Sequence, residues 1–362
     1  MRVALLTYST RPRGGVVHTL ALAESLAALG AEVDVWTLGR GGDTAFFRPV
    51  GPGVGVRAVP FEARDGEHVG DRIMRSIAVL AQAFAPRRGG YDIVHAQDCI
   101  SANAALPCIR TIHHLDHFTT PQLAACHERA VTEPAYRICV SAAVAEEVRL
   151  GWGFTPAVIP NGVDAARFAA GARDAAGRAR WRGTLGRYVL ALGGIEPRKA
   201  SIDLVEAFAR LRPPPGHEGL RLVFGGGETL FDYRDYRAAF DARAAELGVT
   251  PEIVGVLAEE ELPALVAEAS ALAMVSAKEG FGLAGMEALA AGVPVVARDL
   301  PVLREVYGDT VVFAQDVPAI AAALARQLSD PLPPGPGRAV AATNTWQRAA
   351  AAHLAVYRGL LA

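Results

Sequence analysis

The sequence lacks the features that mark several specialised classes of protein. Its four cysteines include no Cys-x-x-Cys pair, so neither a zinc site nor a disulfide framework is expected. No apolar run approaches the ~18 residues that a membrane-spanning helix needs, and the opening stretch, MRVALLTYST, has no signal-peptide layout. Lys and Arg number 36 against 38 Asp and Glu, which leaves no basic excess for nucleic acid. We therefore expect a cytoplasmic protein with reduced thiols and no nucleic-acid partner.

The sequence does contain a regular alternation of short apolar runs and helical patterns. Residues 3–7 and 33–38 read as buried strands, and residues 16–29 between them show helical spacing that ends at Gly30. A second series of the same kind starts at residues 188–192. Because 362 residues suffice for two domains, this pattern predicts an α/β protein with two Rossmann-like domains facing a central cleft.

The most informative stretch covers residues 276–296, SAKEGFGLAGMEALAAGVPVV. It predicts the end of a strand, a glycine turn, a helix over residues 283–292 and a second strand. Gly280 and Gly282 allow the backbone to approach a ligand closely, since no Cβ intervenes. The N–H groups at the start of the helix favour an anion such as a diphosphate.

Two carboxylates bracket this turn, Glu279 on the loop and Glu287 within the helix. An ionised carboxylate only accepts hydrogen bonds, so both residues suit the hydroxyl groups of a ligand. A diphosphate flanked by hydroxyl groups describes a nucleotide sugar.

The stretch resembles the Glu-x₇-Glu signature of the retaining glycosyltransferases of family 4, which have the two-domain GT-B fold. The first acid with Gly-Phe-Gly matches at 279–282, the second acid at 287, and Gly-x-Pro-Val-Val at 292–296. The Arg-Glu-Val at 304–306 matches the continuation of the signature.

Residues 158–164, VIPNGVD, resemble the family's junction between domains, and Asn-Gly after Pro is turn chemistry. We expect an N-terminal acceptor-side domain over 1–163 and a C-terminal donor domain over 164–340. The resemblance implies that a last helix within 341–362 packs back on the N-terminal domain.

The resemblance also implies the reaction. A hexose-type sugar is transferred, with retention of configuration, from a UDP-, GDP- or ADP-sugar to an unidentified small-molecule, lipid or glycan acceptor. No metal and no other cofactor are implied, because the chain has no Asp-x-Asp and Lys199 with the helix start can hold the diphosphate.

Site residues follow from the same resemblance. The implied catalytic residues are His113, Lys199 and Glu279, with Glu279 on the hydroxyls of the sugar. The implied donor-binding residues are Gly15, Arg198, Lys199, Val256, Glu279, Gly280, Phe281, Gly282, Leu283 and Glu287. Within this set, Glu287 is assigned to the ribose hydroxyls and Val256 to the base.

One position departs from the family pattern. Gly194 stands where family members carry an Arg that neutralises the diphosphate, and Arg198, beside Lys199, is a candidate to supply that charge. A solvated surface Arg is the alternative.

Other features have rival interpretations. His113, His114 and His117 suggest a metal site, but adjacent residues on a strand point to opposite faces, which argues against it. The Thr-Ile-His at 111–113 resembles the Thr-x-His that family members carry at the end of this strand, and the resemblance implies a sugar contact by His113, with His114 as its rival. Gly14 and Gly15 suggest a dinucleotide site, yet no Gly-x-Gly-x-x-Gly follows the first strand.

The predicted helix over residues 71–85 is basic and amphipathic, so it suits either the inner face of a membrane, as a peripheral contact, or the outside of the sheet. Three readings of function stay open: the glycosyltransferase, a nucleotide-sugar epimerase of the same fold, and a donor-binding protein with little activity. Acceptor choice is expected in the loops at 39–55, 61–70 and 113–121.

Overall fold

The computed structural model describes residues 1–116, 118, 120–212, 214–227 and 233–362. His117, a member of the predicted histidine cluster, lies outside these residues. The chain divides into two compact units. Unit 1 comprises Met1–Gly162 and Trp346–Ala362, and unit 2 comprises Val163–Thr345.

Within its described residues, unit 1 is built on seven parallel strands in the order β3-β2-β1-β4-β5-β6-β7. They are β1 (Arg2–Leu6), β2 (Glu32–Arg40), β3 (Val54–Phe61), β4 (Ile93–Ala96), β5 (Ile109–Ile112), β6 (Tyr136–Cys139) and β7 (Ala157–Val158). The order of the strands reverses between β1 and β4, and open α/β sheets bind ligands beyond the strand ends at such a point.

The helices of unit 1 cover both faces of this sheet. They are α1 (Gly14–Ala28), α2 (Val69–Phe84), α3 (Cys99–Ala105), α4 (Pro121–Thr132), α5 (Ala142–Trp152) and the C-terminal helix (Trp346–Leu361). The last of these packs on α1 and buries Trp346, Leu354 and Tyr357, the three residues whose spacing predicts one face.

One feature of unit 1 differs from the sequence-based prediction: Gly14 and Gly15 form the first turn of α1 rather than a loop before it. Of the two alternatives for the basic amphipathic helix, the structure has the outer helix of the sheet, because the apolar face of α2, which includes Ile73, Leu80 and Phe84, is buried inside the unit. No helix among the described residues combines the length and apolar composition that crossing a bilayer requires.

Within its described residues, unit 2 has six parallel strands in the order β10-β9-β8-β11-β12-β13. They are β8 (Tyr188–Leu192), β9 (Arg221–Gly225), β10 (Glu252–Gly255), β11 (Ala271–Met274), β12 (Val295–Arg298) and β13 (Val312–Ala314). The helices of unit 2 are α6 (Ala165–Arg173), α7 (Ala175–Leu185), α8 (Ser201–Arg210), α9 (Arg234–Glu246), α10 (Leu262–Glu268), α11 (Leu283–Ala291), α12 (Pro301–Tyr307), α13 (Val317–Ser329) and α14 (Pro334–Thr343). The C-terminal helix of unit 1 is α15.

The stretch DPLPPGPG, which sequence chemistry marks as a linker, contains the start of α14 at Pro334. Proline is tolerated in the first turn of a helix because its missing N–H would have no partner there. The prediction of an unstructured linker is therefore wrong for its second half.

Candidate active site

The turn between β11 and α11 requires glycine at position 282. Gly282 has φ +87° and is the N-cap of α11. The Tyr307 hydroxyl donates a hydrogen bond to the Gly282 carbonyl, and a Cβ added at Gly282 would lie 2.2 Å from that hydroxyl. The buried phenol therefore fixes the turn, which explains the glycine that the signature demands.

This turn leaves a row of backbone donors open. None of the N–H groups from Gly280 to Ala284 has an acceptor among the described residues. Phe281 contributes through its backbone, since its side chain is buried. The first turn of a helix with unused N–H groups carries partial positive charge and favours an anion.

Glu279 lies beside these donors and is held by cations. Its Oε1 accepts hydrogen bonds from Lys199 Nζ at 2.6 Å and from Ser276 Oγ at 2.8 Å, and Arg198 Nη1 lies 3.6 Å away. Burial of the side chain, which is 10% exposed, raises the pKa, but Lys199 and then Arg198 outweigh that effect and lower the pKa of Glu279 to about 2. Glu279 is therefore an ionised carboxylate at neutral pH.

The loop after β8 brings both cations to this carboxylate. Arg198 also pairs with Glu196, Nη2 to Oε1 at 2.8 Å, and its carbonyl accepts from the Ala277 backbone N–H at 2.8 Å. A Cβ added at Gly193 would lie 3.1 Å from Lys199 Cε, so a glycine at this position leaves room for the lysine side chain. Arg198 thus lies in the same loop cluster as Lys199, as the sequence analysis anticipated for a replacement charge.

A small cavity of about 20 Å³ opens at the carboxyl ends of β8 and β11. Its lining includes Gly193, Gly194, Lys199, Ser276 and Ala284. The cavity is therefore lined by Lys199, by a residue of the first turn of α11 and by the position where the family pattern has an Arg.

Glu287 lies within α11 and, unlike the ionised Glu279, has a raised pKa. Its carboxyl has no hydrogen-bond partner among the described residues, and the side chain is half-buried. Burial raises the pKa of Glu287 to about 8, because Arg167, the nearest counter-charge, already forms an ion pair with Glu259 at 2.8 Å. Without a ligand, Glu287 is mainly protonated at neutral pH.

Val256 lies on a third loop of unit 2. It is 58% exposed and follows Gly255, whose φ is +70°. A Cβ added at Gly227 would lie 2.5 Å from Val256 Cγ2, so the loops after β9 and β10 pack closely.

In unit 1, the structure brings together Gly15 and His113. A Cβ added at Gly15 would lie 3.8 Å from Cδ2 and Nε2 of His113. His113 Nε2 is buried without a partner, and burial, followed by the charge of Arg110, lowers its pKa well below the ordinary value. His114, the rival, pairs instead with Asp116, Nε2 to Oδ1 at 3.3 Å.

The geometry supplies no metal centre in the part of the chain that the structure describes, where no group of three or more His, Cys, Asp and Glu side chains could hold an ion. Sequence reasoning missed Ser276 and Tyr307, which position the turn. It also missed Tyr8 and Arg40 at the strand ends of unit 1. The strand-end position was the available signal for those two.

The chain matches two family models. The model described as "Glycosyltransferase Family 4" covers residues 12–167, and the one described as "Glycosyl transferases group 1" covers residues 183–345.

Several characterised relatives are similar along most of the chain. The D-inositol 3-phosphate glycosyltransferase of Mycolicibacterium paratuberculosis is 31% identical, over 98% of this chain and 87% of the relative. That of Mycolicibacterium smegmatis is 30% identical, over 82% of this chain and 75% of the relative. The MMP alpha-(1->4)-mannosyltransferase of Mycolicibacterium hassiacum is 27% identical, over 100% and 99%.

Solved structures share the fold. Anabaena HepE in complex with UDP and glucose superposes with a TM-score of 0.76 at 18% identity, covering 98% of this chain and 99% of that one. Sucrose-phosphate synthase from Thermosynechococcus elongatus gives a TM-score of 0.79 at 21% identity, covering 99% of each chain.

Proposed function

The chain belongs to glycosyltransferase family 4 and has the GT-B fold, and on that premise we propose that it moves a hexose-type sugar from a UDP-, GDP- or ADP-sugar to an acceptor with retention of configuration. The observation that carries this proposal is the ionised Glu279, held by Lys199 at 2.6 Å beside the open start of α11.

The diphosphate of the donor is proposed to bind at that helix start. The N–H groups of Gly280 to Leu283, which have no acceptor among the described residues, and the charge of Lys199, which pairs with the neighbouring Glu279, both favour an anion. As the sugar leaves, negative charge grows on the diphosphate, so these preorganised donors stabilise the transition state more than the ground state. HepE was crystallised with UDP and glucose, which supports a nucleoside diphosphate as the leaving group.

Glu279 and Glu287 are proposed to hold the two ends of the donor. Glu279, being ionised, accepts hydrogen bonds from sugar hydroxyls. Glu287 takes the ribose hydroxyls, which supply the partners its carboxyl lacks in the protein alone. Val256 is assigned to the base, and the unpartnered Nε2 of His113 supports its role as a contact of the sugar.

A second candidate function is a donor-binding protein with little activity, favoured by Gly194 in place of the family's Arg. To separate the two, the protein is mixed with UDP-, GDP- and ADP-sugars in turn, with a panel of acceptors. A glycosyltransferase releases the nucleoside diphosphate and yields a glycoside whose anomeric configuration NMR shows to match the donor. A binding protein is stabilised thermally and forms no product, and an epimerase returns a new sugar nucleotide on chromatography.

A further inference from the structure

Basic side chains gather in unit 1 at the point where the strand order reverses. Tyr8 follows β1, Arg40 ends β2, and Arg13 precedes α1. Arg13 Nη1 donates to the Tyr8 hydroxyl at 2.9 Å, and the guanidinium carbons of Arg13 and Arg40 lie 5.5 and 6.0 Å from the centroid of the Tyr8 ring. One tyrosine ring therefore has a guanidinium group from each of two elements beside it.

Arg40 lacks an anionic partner. Its Nη2 donates to Ser76 Oγ at 3.1 Å, its guanidinium lies 5.1 Å from the ring centroid of Phe61, and its Nε is buried without an acceptor. Among the described residues, no carboxylate is within ion-pair distance of it. Burial, followed by the charge of Arg72, lowers the pKa of Arg40 to about 10, which indicates a desolvated cation among other cations.

Two other half-buried arginines of unit 1 have carboxylate partners. Arg48 makes a two-pronged pair with Glu24 at 2.6 and 2.8 Å, and Arg75 makes one with Glu67 at 2.6 and 2.7 Å. Buried charges are normally paired in this way, because an isolated one costs several kcal/mol. Arg40 has no such pair among the described residues, and an external anion would supply it.

The nearest acid is already occupied. Asp98 caps α3 by accepting from the Ser101 N–H at 2.8 Å, and its other oxygen accepts from the Tyr8 N–H at 3.0 Å. The same carboxylate acts on Arg110, which is 8% exposed and whose Nε and Nη1 have no partner among the described residues. Asp98 therefore divides its charge between Arg110 and Arg40, and it makes no ion pair with Arg40.

We propose that Tyr8, Arg13, Arg40 and Arg72, hereafter the Arg40 cluster, bind a phosphate group on the acceptor. This inference rests on the proposed function, since it gives that reaction its acceptor class. A phosphate monoester brings about two negative charges and three acceptor oxygens, whereas a carboxylate brings one charge and two oxygens. The guanidinium groups of three arginines match the phosphate monoester better than the carboxylate, because each Arg can bind two phosphate oxygens at once.

The test measures binding in the presence of a saturating nucleoside diphosphate, namely whichever of UDP, GDP and ADP binds the wild type, so that phosphate probes cannot report on the donor site. The probes are inorganic phosphate, glucose 6-phosphate and myo-inositol 1-phosphate, with glucose and myo-inositol as neutral counterparts, followed by calorimetry. We expect the phosphate esters to bind and their neutral counterparts to bind far more weakly. Arg40→Met should weaken the phosphate esters by roughly tenfold to a hundredfold, the range for a hydrogen bond to a charged group.

The control is Arg129→Met, which removes an exposed Arg that pairs with Glu133 at the end of α4 and should change nothing. If Arg40→Met does not fold, Arg40→Lys keeps the charge but loses the fork, and a smaller loss of affinity is expected from it.

A last arm identifies the source of the phosphate. Vesicles of phosphatidylcholine with one-fifth phosphatidic acid, whose headgroup is a phosphate monoester, are sedimented with the wild type and with Arg40→Met. Capture that Arg40→Met abolishes assigns a lipid headgroup, and competition by soluble esters assigns a soluble acceptor. Both support the inference.

Equal binding of charged and neutral probes, or equal affinity of the wild type and Arg40→Met, would overturn it. Failure of the proposed function would be visible separately, because none of UDP, GDP and ADP would then bind the wild type.

Discussion

The turn before α11 and the helix itself each hold one glutamate of the signature, and the two regions treat that side chain in opposite ways. Burial disfavours the charged form at both positions. In the turn, Lys199 and Arg198 reverse the effect, and the pKa of Glu279 falls to about 2. In the helix, Arg167 is engaged with Glu259, and the pKa of Glu287 rises to about 8. A shared motif therefore does not imply shared protonation, because the neighbouring cations decide it.

The largest expected effect comes from removing Lys199, the cation that keeps Glu279 ionised while Glu287 is protonated. Lys199→Met should lower kcat by roughly a hundredfold to a thousandfold, as the loss of one preorganised group at a developing charge does. It should also raise the pKa of Glu279, followed by NMR titration, toward that of Glu287.

Arg237→Met, on the exposed pair with Asp241, is the matched control and should leave kcat unchanged. An unaltered kcat in Lys199→Met would break the comparison, since the cation would then have no part in the reaction.

The next effect tests the backbone of the turn. Gly282→Ala places a Cβ 2.2 Å from the Tyr307 hydroxyl at a φ of +87°, so we expect it to lower the free energy of unfolding by at least about 2 kcal/mol. Urea denaturation measures this.

Gly183→Ala, in α7 with no atom near the added Cβ, should be neutral or stabilising by up to about 1 kcal/mol. Equal stability of the two variants would mean that the turn does not require glycine.

Arg198→Ala sharpens the comparison by testing the more distant cation. Arg198 lies 3.6 Å from Glu279 and shares its charge with Glu196, whereas Lys199 lies at 2.6 Å. We expect a loss of about tenfold in kcat/KM for the donor, which is the size of one modest charged contact. Unchanged kinetics would remove Arg198 from the site and leave the family's missing Arg without a substitute.

The last effect concerns Glu287 and depends on pH. In the unfolded chain this carboxyl ionises near its ordinary pKa of 4.5, whereas in the folded protein it keeps its proton up to about pH 8. Between these values the folded state holds the extra proton, so its stability falls as pH rises, and above pH 8 the loss is complete.

Glu287→Gln removes this cost. Relative to wild type, we expect its free energy of unfolding to increase by up to about 3 kcal/mol as the pH rises from 5 to 8, because only the wild type loses stability over that range. Thermal denaturation at the two pH values checks it, and a pH-independent difference would contradict the raised pKa. The same variant should bind UDP more weakly, since Gln offers the ribose one acceptor oxygen fewer.

Local signals explain what the sequence could predict. The helix predicted over 283–292 is found as α11, with Gly282 and Gly292 at its ends in left-handed conformation, because both boundaries depend on neighbouring residues. The family and the GT-B fold followed from the same short stretch.

Non-local packing explains what the sequence could not predict. The Arg40 cluster draws on residues scattered from position 8 to position 72, and only the strand order brings them together. The protonation of Glu287 depends on burial and on the ion pair that occupies Arg167. Helices α3, α4 and α9 were missed as well; α9 is mainly polar and gives little apolar periodicity.

The most direct measurement of the central claim is a crystal structure of the protein with UDP-glucose. The account predicts the diphosphate within hydrogen-bond distance of the backbone N–H groups of Gly280 to Leu283 and of Lys199 Nζ, with sugar hydroxyls on Glu279 and ribose hydroxyls on Glu287. A diphosphate bound elsewhere, with Glu279 still paired to Lys199 and Glu287 without contacts, would contradict it.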